Sequence, residues 1–448
     1  MDVRKPLLSS AKGGAFLCLA ALALSACAGP SGEMRQAVNA RLAAGDYKGA
    51  EARIEKAKYT AYGRKNQVLY YLDLGAVQHD AGQYKDSNAS LAVAERRMDE
   101  LYTKSIHKEA GTLLLNDNTV EYAGERFERA LVNVYRALDY LFLGDRENAL
   151  VEIRKLSGLL QMYADAYGNR RTAYKDDAFG QYLSSLLYAD GGQPDDARIA
   201  REDAARAYAG YQTAYGTPPP DLDAPALGPD DGELVFLHAN GVAPRKVSRS
   251  LSVAWGRAVA AVNATKDDEA DAGRAVNALR AGLLGKAITV SYPAYIQDPY
   301  RIAGSRITVD GVSADTVLVE DVSAIARKDL EEREALIMTR AIARAAIKYI
   351  LAKAATDEAA RKYGRNSWQT LATQAATSML SAATEVADTR AWATLPAQFR
   401  LARLALPAGP HQVVVTYTDA SGAVLLTRTF QVTIRKGERA YLHDRTAL

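Results

Sequence analysis

The first half of the chain is organised by a short stretch, Gly45-Asp46-Tyr47-Lys48-Gly49-Ala50, which ends one helical pattern and begins the next. Three similar stretches follow: Gly82-Gln83-Tyr84-Lys85-Asp86-Ser87, Gly144-Asp145-Arg146-Glu147-Asn148-Ala149 and Gly192-Gln193-Pro194-Asp195-Asp196-Ala197. The glycine suits the left-handed conformation that ends a helix, and the polar residues cap the next helix. The small residue lets two antiparallel helices approach closely. The pattern predicts a helical repeat domain over residues 33–215.

Helix-turn-helix units of this kind resemble tetratricopeptide repeats. The four turns are spaced irregularly, whereas a regular array repeats about every 34 residues, so we interpret the array as divergent with insertions. The best single helical pattern runs from Gly124 to Leu143, where Phe127, Leu131 and Phe142 share one stripe. Such a stripe indicates core packing and not a cofactor site.

The second half has a different periodicity. A proline-rich acidic linker covers residues 216–232, and short apolar runs bounded by Gly, Pro and Asp follow it. These runs predict strands at 234–237, 287–290, 306–309, 316–319, 398–404, 412–417, 424–433 and 439–442. Two helical patterns interrupt them at about 324–387. We therefore predict an α+β domain over 233–448, built as a β-sandwich or barrel with a helical insertion. The whole chain is an α+β multidomain protein in this prediction.

The amino terminus has the layout of a bacterial lipoprotein signal. A basic start precedes an apolar run from Ala15 to Ala26, which is too short to span a bilayer. The tetrad Leu24-Ser25-Ala26-Cys27 resembles the lipobox, which implies cleavage after residue 26, acylation of Cys27 and a short tether over 27–32. Two or three acyl chains hold a protein durably on a membrane. Ala28 and Gly29 follow without an aspartate, which by lipoprotein sorting rules points to the periplasmic face of the outer membrane.

Composition narrows the function classes. The chain has 448 residues, 24% of them charged, and a formal net charge of +3, which argues against nucleic acid as a partner. Its two cysteines are Cys18, inside the signal, and Cys27. The mature chain therefore has no disulfide, no cysteine nucleophile and no thiolate metal site in this prediction. The periplasm also lacks ATP, which disfavours kinases and ATPases.

Several segments resemble a family of functionally uncharacterised proteobacterial outer-membrane lipoproteins with tetratricopeptide-like repeats. The matching segments are Glu121–Arg129, Arg136–Asp145, Gly232–Pro244 and Asp388–Pro396. They lie in both halves, so the resemblance covers most of the mature chain. It implies a lipoprotein whose gene lies near an activator of peptidoglycan synthases, and it supplies no catalytic residues. Asp139 departs from the family pattern, in which we expect asparagine.

Two groups of residues are candidates for interaction. Arg340, Arg344 and Lys348 follow each other at helical spacing, and like charges at that spacing repel unless an anion answers them. An acidic partner, a glycan carboxylate or a phosphate could serve, but we favour solvent or the protein's own carboxylates. Arg390 and Trp392 form either an exposed recognition loop, since these residue types anchor interfaces, or a structural clasp. We favour the clasp.

Catalytic, cofactor and metal motifs are not found in the sequence. The five histidines are scattered without ligand spacing. His238 precedes Asn240 and Gly241, which we interpret as a turn with positive φ angles at both residues. A hydrolase using His238 or His443 with Asp444 is the weakest alternative.

The sequence therefore predicts a non-enzymatic scaffold whose helical repeats offer a concave surface to a cell-envelope protein. The membrane is a partner through the lipid anchor. A link to peptidoglycan synthesis is a weaker hypothesis, which depends on the resemblance alone. The alternative is a module of the second half that binds glycan or peptidoglycan.

Overall fold

The computed structural model describes residues 30–106, 120–167, 174, 176–221, 224–254, 287–384 and 386–448. The predicted signal segment 1–26 and the lipid-attachment residue Cys27 lie outside the described residues, as do residues 222 and 223 of the linker. Within the described residues, no helix is both long enough and apolar enough to cross a bilayer.

Four helical hairpins build the first half. Their helices are α1 (Gly32–Ala43), α2 (Tyr47–Ala57), α3 (Gln67–Asp80), α4 (Tyr84–Ile106), α5 (Arg126–Phe142), α6 (Arg146–Tyr167), α7 (Ala178–Asp190) and α8 (Pro194–Tyr215). A π-helical turn at Lys58–Tyr62 and a 3-10 turn at Arg64–Asn66 connect α2 to α3.

The four hairpin turns share one geometry, as the repeated sequence predicts. Gly45, Gly82, Gly144 and Gly192 have φ angles between +69° and +77°. In the first turn the Gly45 N–H donates to the Leu42 carbonyl at 3.0 Å, and the Asp46 N–H donates to the Arg41 carbonyl at 2.8 Å. The other three turns repeat both bonds. These bonds satisfy the last carbonyls of each first helix, which confirms the predicted helix ends.

The predicted caps are present in part. Asp46 Oδ1 accepts the Gly49 N–H at 3.0 Å, and Asp145 Oδ1 accepts the Asn148 N–H at 3.1 Å. Gln193 makes no side-chain cap, and Pro194 occupies the first turn of α8 instead. Proline is favoured there because its missing N–H would have no partner in a first turn.

The second half contains ten described strands and two helices. The strands are β1 (Asp231–Asn240), β2 (Arg245–Ala254), β3 (Ala287–Ile296), β4 (Gly304–Val309), β5 (Val312–Asp315), β6 (Val317–Glu320), β7 (Gln398–Pro407), β8 (Gly409–Thr418), β9 (Val424–Ile434) and β10 (Arg439–Thr446). The helices are α9 (Val322–Tyr363) and α10 (Trp368–Thr384). The secondary structure is therefore mixed α+β, as predicted.

These strands form two open four-stranded sheets and a two-stranded ribbon. Sheet 1 has the order β10-β1-β7-β6, with β10 parallel to β1 and the other pairs antiparallel. Sheet 2 has the antiparallel order β5-β4-β8-β9, and the ribbon pairs β2 with β3. The described strands do not close into a barrel, so the barrel alternative is not supported.

The two sheets pack face to face, and the helices cover the other face of sheet 1. Leu234 and Phe236 of β1 belong to the apolar cluster between the sheets. Val235, Leu237 and Ala239, which point to the opposite face, belong to the cluster that includes the helical hairpins. Sheet 1 is therefore buried on both faces, and the two halves share one core.

Candidate functional site

Arg390 and Trp392 are buried, with exposed fractions of 3% and 1%. The Arg390 guanidinium pairs with Asp388 through two bonds of 2.9 and 2.7 Å. It also donates to Asn66 Oδ1 at 3.3 Å and to the Val120 carbonyl at 2.9 Å. The exposed-loop alternative is therefore wrong for these two side chains. They clasp the segment after α10 to the helical hairpins, and the clasp leaves neither of them free for a partner.

Two buried carboxylates of the helices complete this clasp. Glu128 Oε1 accepts the Trp392 N–H at 2.7 Å. Asp73 Oδ1 accepts the N–H groups of Ala393 and Thr394 at 3.0 and 3.2 Å. Burial raises the pKa of Asp73 to about 6 and that of Glu128 to about 7. Buried carboxyls need such donors because desolvation is otherwise costly.

The three basic residues Arg340, Arg344 and Lys348 do not form one solvent-exposed surface. Arg340 is exposed, Arg344 is buried and Lys348 is half-buried. Residues 341–347 of α9 are all buried, and both β3 and α10 pack against this long helix. Arg344 and Lys348 both interact with other groups of the protein. Two of the three cations thus interact within the protein and the third faces solvent, in line with the explanation favoured above.

The two histidines of the hydrolase alternative occupy structural positions. His238 is fully buried, with Nε2 at 2.7 Å from Thr446 Oγ1 and Nδ1 at 2.9 Å from Ser305 Oγ. Burial lowers the pKa of His238, which favours its neutral form. The His443 ring lies on His79, with a centroid distance of 4.7 Å. Both rings thus have partners within the protein, with His238 fully buried and His443 half-buried.

The residues that neighbour these histidines in the sequence also bind groups of the protein. Asp444 is bonded to Tyr417 and, at 2.5 Å, to Arg428. Gly241 has the expected positive φ of +70°, but Asn240 stays in β1 and donates to the Ile302 carbonyl at 2.8 Å. The expectation for Asn240 is wrong because the strand extends through it. Among the described residues, no group of three or more His, Cys, Asp or Glu could hold a metal ion.

An open groove of about 900 Å³ lies between α4, α5 and α6. We call it the α4–α6 groove. Its apolar lining consists of Met98, Leu159 and Met162, and Gly158 leaves open space on α6, since a Cβ there would meet no atom within 4 Å. Methionine side chains adapt to irregular partner surfaces. The groove can therefore accept an apolar side-chain row.

Charged residues of both signs surround this apolar lining: Glu95, Arg96, Asp99, Glu100, Arg129 and Lys155. Three acidic and three basic groups balance one another. Several are paired within the protein, since Arg129 lies 2.8 Å from Asp99 and Lys155 lies 3.4 Å from Glu95. A balanced rim of this kind gives no strong anionic or cationic field, so it does not favour phosphate or nucleic acid.

Asn133 of α5 binds carboxylates of both neighbouring helices beneath the groove. Its Nδ2 donates to Glu95 Oε1 at 3.0 Å and to Glu152 Oε2 at 3.2 Å. Arg136 also pairs with both carboxylates. Three helices are thus held together by one polar network under the groove. This site was not predicted from the sequence, because it depends on how the second and third hairpins pack. The alternation of Met, Leu and charged residues on α4 and α6 was the sequence feature that could have indicated the groove.

No protein-family model, curated protein or solved structure matches this chain.

Proposed function

We propose that this chain is a lipid-anchored outer-membrane protein, facing the periplasm, which binds a segment of another envelope protein in the α4–α6 groove. The lipobox around Cys27 supports the anchor, and the four matched hairpin turns support a tetratricopeptide-like array. The groove is the observation that carries the proposal. The protein acts as a non-enzymatic scaffold in this proposal.

The α4–α6 groove is not the concave face of the helical repeats, which was the binding surface predicted from the sequence. Most residues of α3, α5 and α7 are buried, and the apolar cluster that contains them continues into sheet 1. That inner face is therefore already covered by the protein's own second half. The α4–α6 groove remains open, because Arg129 and Asn133 line it while Tyr135 of the same helix packs near Trp392.

The chemistry of the groove defines the ligand. An apolar floor with methionines between charged rims suits an amphipathic helix, which lays its apolar side chains into a groove. The rim charges of both signs would pair with a polar face that carries both Lys or Arg and Asp or Glu. The class of ligand is therefore an amphipathic, mixed-charge peptide segment.

The glycan-binding alternative has lost its main support. It was based on the β-rich second half and on the basic stripe, and two of the three residues of the stripe interact within the protein. The link to peptidoglycan synthesis rests on the family resemblance alone. Deleting the gene and finding unchanged cell-wall synthesis and synthase activity would contradict that link without affecting the groove.

The test uses two glycines that lie in helices and face open space, Gly158 in the groove and Gly210 on α8. A photo-crosslinking residue is placed at either position in cells. We expect one defined protein to crosslink at 158 and not at 210. For the leucine variants the crosslinking residue is placed at position 96, in place of Arg96. Gly158→Leu should abolish the crosslink from position 96, whereas Gly210→Leu should leave it intact.

Both leucine variants should fold, because leucine is a better helix former than glycine and has space at both positions. Equal crosslinking in the Gly158→Leu variant would overturn the groove as the binding site. Equal crosslinking at both positions would show contact without specificity and would also overturn it.

A further inference from the structure

The turn between α9 and α10 exposes an unusual amount of aromatic surface. Trp368 has an exposed fraction of 73%, Tyr363 of 47% and Leu371 of 56%. All three lie within nine consecutive residues at the end of the helical pair. Large apolar side chains that are exposed together mark contact sites more often than single ones do. We call residues 361–371 the tip.

The tip is a built turn and not a frayed helix end. Gly364 has φ +90°, and its carbonyl accepts the hydroxyl groups of Ser367 at 2.9 Å and Thr370 at 2.8 Å. Ser367 Oγ accepts the Thr370 N–H at 3.3 Å, which caps α10. Trp368 is the first residue of that capped helix. Its backbone position is therefore fixed while its ring faces solvent.

The charge of the tip has one sign. Arg361, Lys362 and Arg365 are exposed, and residues 359–384 contain no Asp or Glu. The Lys362 ammonium lies 5.3 Å from the Tyr363 ring centroid, and Arg361 lies 2.5 Å from Glu358 in the preceding turn of α9. The tip therefore combines three cations with an exposed indole, a phenol and a leucine.

We propose that the tip docks on an anionic phospholipid surface. Trp and Tyr favour the membrane–water boundary because one end of each ring is apolar and the other is polar. Lys and Arg beside them are attracted to anionic head groups. The tip contains no acidic group that would repel those head groups.

The tip lies at the carboxyl end of α9, which is the longest helix among the described residues. α9 has 42 residues and is about 63 Å long at 1.5 Å per residue. On its own, a contact of this size binds a membrane weakly. The proposed lipid anchor of the same protein would raise the effective lipid concentration at the tip. This inference is independent of the α4–α6 groove, and it needs no crosslinked partner.

The test uses the chain from residue 28 onward, produced without acyl groups. Vesicles of phosphatidylcholine are compared with vesicles that also contain phosphatidylglycerol, by co-sedimentation at low and high salt. We expect binding to the second kind only, and weaker binding at high salt. Trp368→Ser and the triple change Arg361→Gln, Lys362→Gln and Arg365→Gln should each reduce binding at least about tenfold.

The matched control is Tyr59→Ser, since Tyr59 is an aromatic residue with an exposed fraction of 84% outside the tip. It should bind as the unaltered chain does. Brominated lipids should quench tryptophan emission in the unaltered chain and not in Trp368→Phe. The proposal is overturned if vesicles do not bind, if the tip variants bind equally, or if purified sacculi bind through the tip while vesicles do not.

Discussion

Glu128 of α5 accepts the backbone N–H of Trp392 at 2.7 Å, although the two residues are 264 positions apart. The other oxygen of Glu128 accepts the Tyr122 hydroxyl at 2.5 Å and the Glu125 N–H at 2.9 Å. One carboxyl thus joins the start of α5 to the segment that leads into β7. The helical hairpins and the sheets fold as one unit because such bonds connect them.

Replacing Glu128 should destabilise the whole chain. Glu128→Ala leaves three buried donors without an acceptor, so we expect a loss of about 3 kcal/mol in the free energy of unfolding. Glu128→Gln keeps one acceptor oxygen and should lose roughly half as much. Urea unfolding of both variants measures the difference. A loss below about 1 kcal/mol for the alanine variant would contradict the role assigned to this carboxyl.

Asp139 should make stability depend on pH. It lies 2.6 Å from His79 Nδ1, and burial raises its pKa from 3.8 to about 8. Because the folded-state pKa lies above the unfolded value, the stabilisation from this group is full below about pH 4. It is lost as the pH rises through 8. Asp139→Asn removes this ionisation and keeps a hydrogen-bonding side chain.

We therefore expect Asp139→Asn to unfold at a higher urea concentration than the unaltered chain at pH 9, with a smaller difference at pH 6 and near-equality at pH 4. Lower stability of the variant at both pH values would show instead that an ionised Asp139 pairs with a protonated His79.

The hairpin turns and eight of the ten described strands were predictable because each depends on a local pattern, whereas β2 and β5 were not predicted. Gly45 and its three counterparts end helices whatever packs around them, and the strand at 398–404 lies within β7. The clasp was not predictable in detail. Asp73 meets Thr394 across 321 positions, and no local pattern records such a pairing.

Exposure was the property that the sequence predicted least well. A helical stripe such as Arg340 to Lys348 shows which residues share a side, but not what covers that side. Residues 341–347 are buried in the folded chain although they lie on every side of α9. The α4–α6 groove was missed for the same reason, since its three walls meet only after the hairpins pack.

The glycines of the first half should respond in opposite directions to alanine. Gly158→Ala and Gly210→Ala each place a methyl group in open space within a helix, so we expect a gain of about 0.5–1 kcal/mol. Gly45 has φ +71°, where a Cβ is strained, and Gly45→Ala should cost about 1 kcal/mol. Thermal unfolding of the three variants measures both effects. A gain for Gly45→Ala would contradict the left-handed turn.

Arg390→Lys should weaken the clasp although the charge is kept. A lysine ammonium cannot reproduce the two parallel bonds to Asp388 and also reach Asn66 and the Val120 carbonyl. We expect a loss of about 2 kcal/mol in the free energy of unfolding, measured with urea. Arg435→Lys is the control, since its side chain is 77% exposed and its pairing with Glu438 spans 3.7 Å. That change should stay within about 0.5 kcal/mol, because surface ion pairs contribute little.

The same variant separates the clasp from the recognition-loop alternative. If Arg390 acts only within the protein, Arg390→Lys lowers stability while the folded protein still crosslinks its partner at position 158. Unchanged stability together with a lost crosslink would mean that Arg390 contacts the partner directly. That outcome would require the segment from Asp388 to Pro396 to leave its buried position between α3 and α5, which breaks the bonds to Asp73 and Glu128. Partner binding would then also depend on those two carboxyls, and Glu128→Ala would strengthen it.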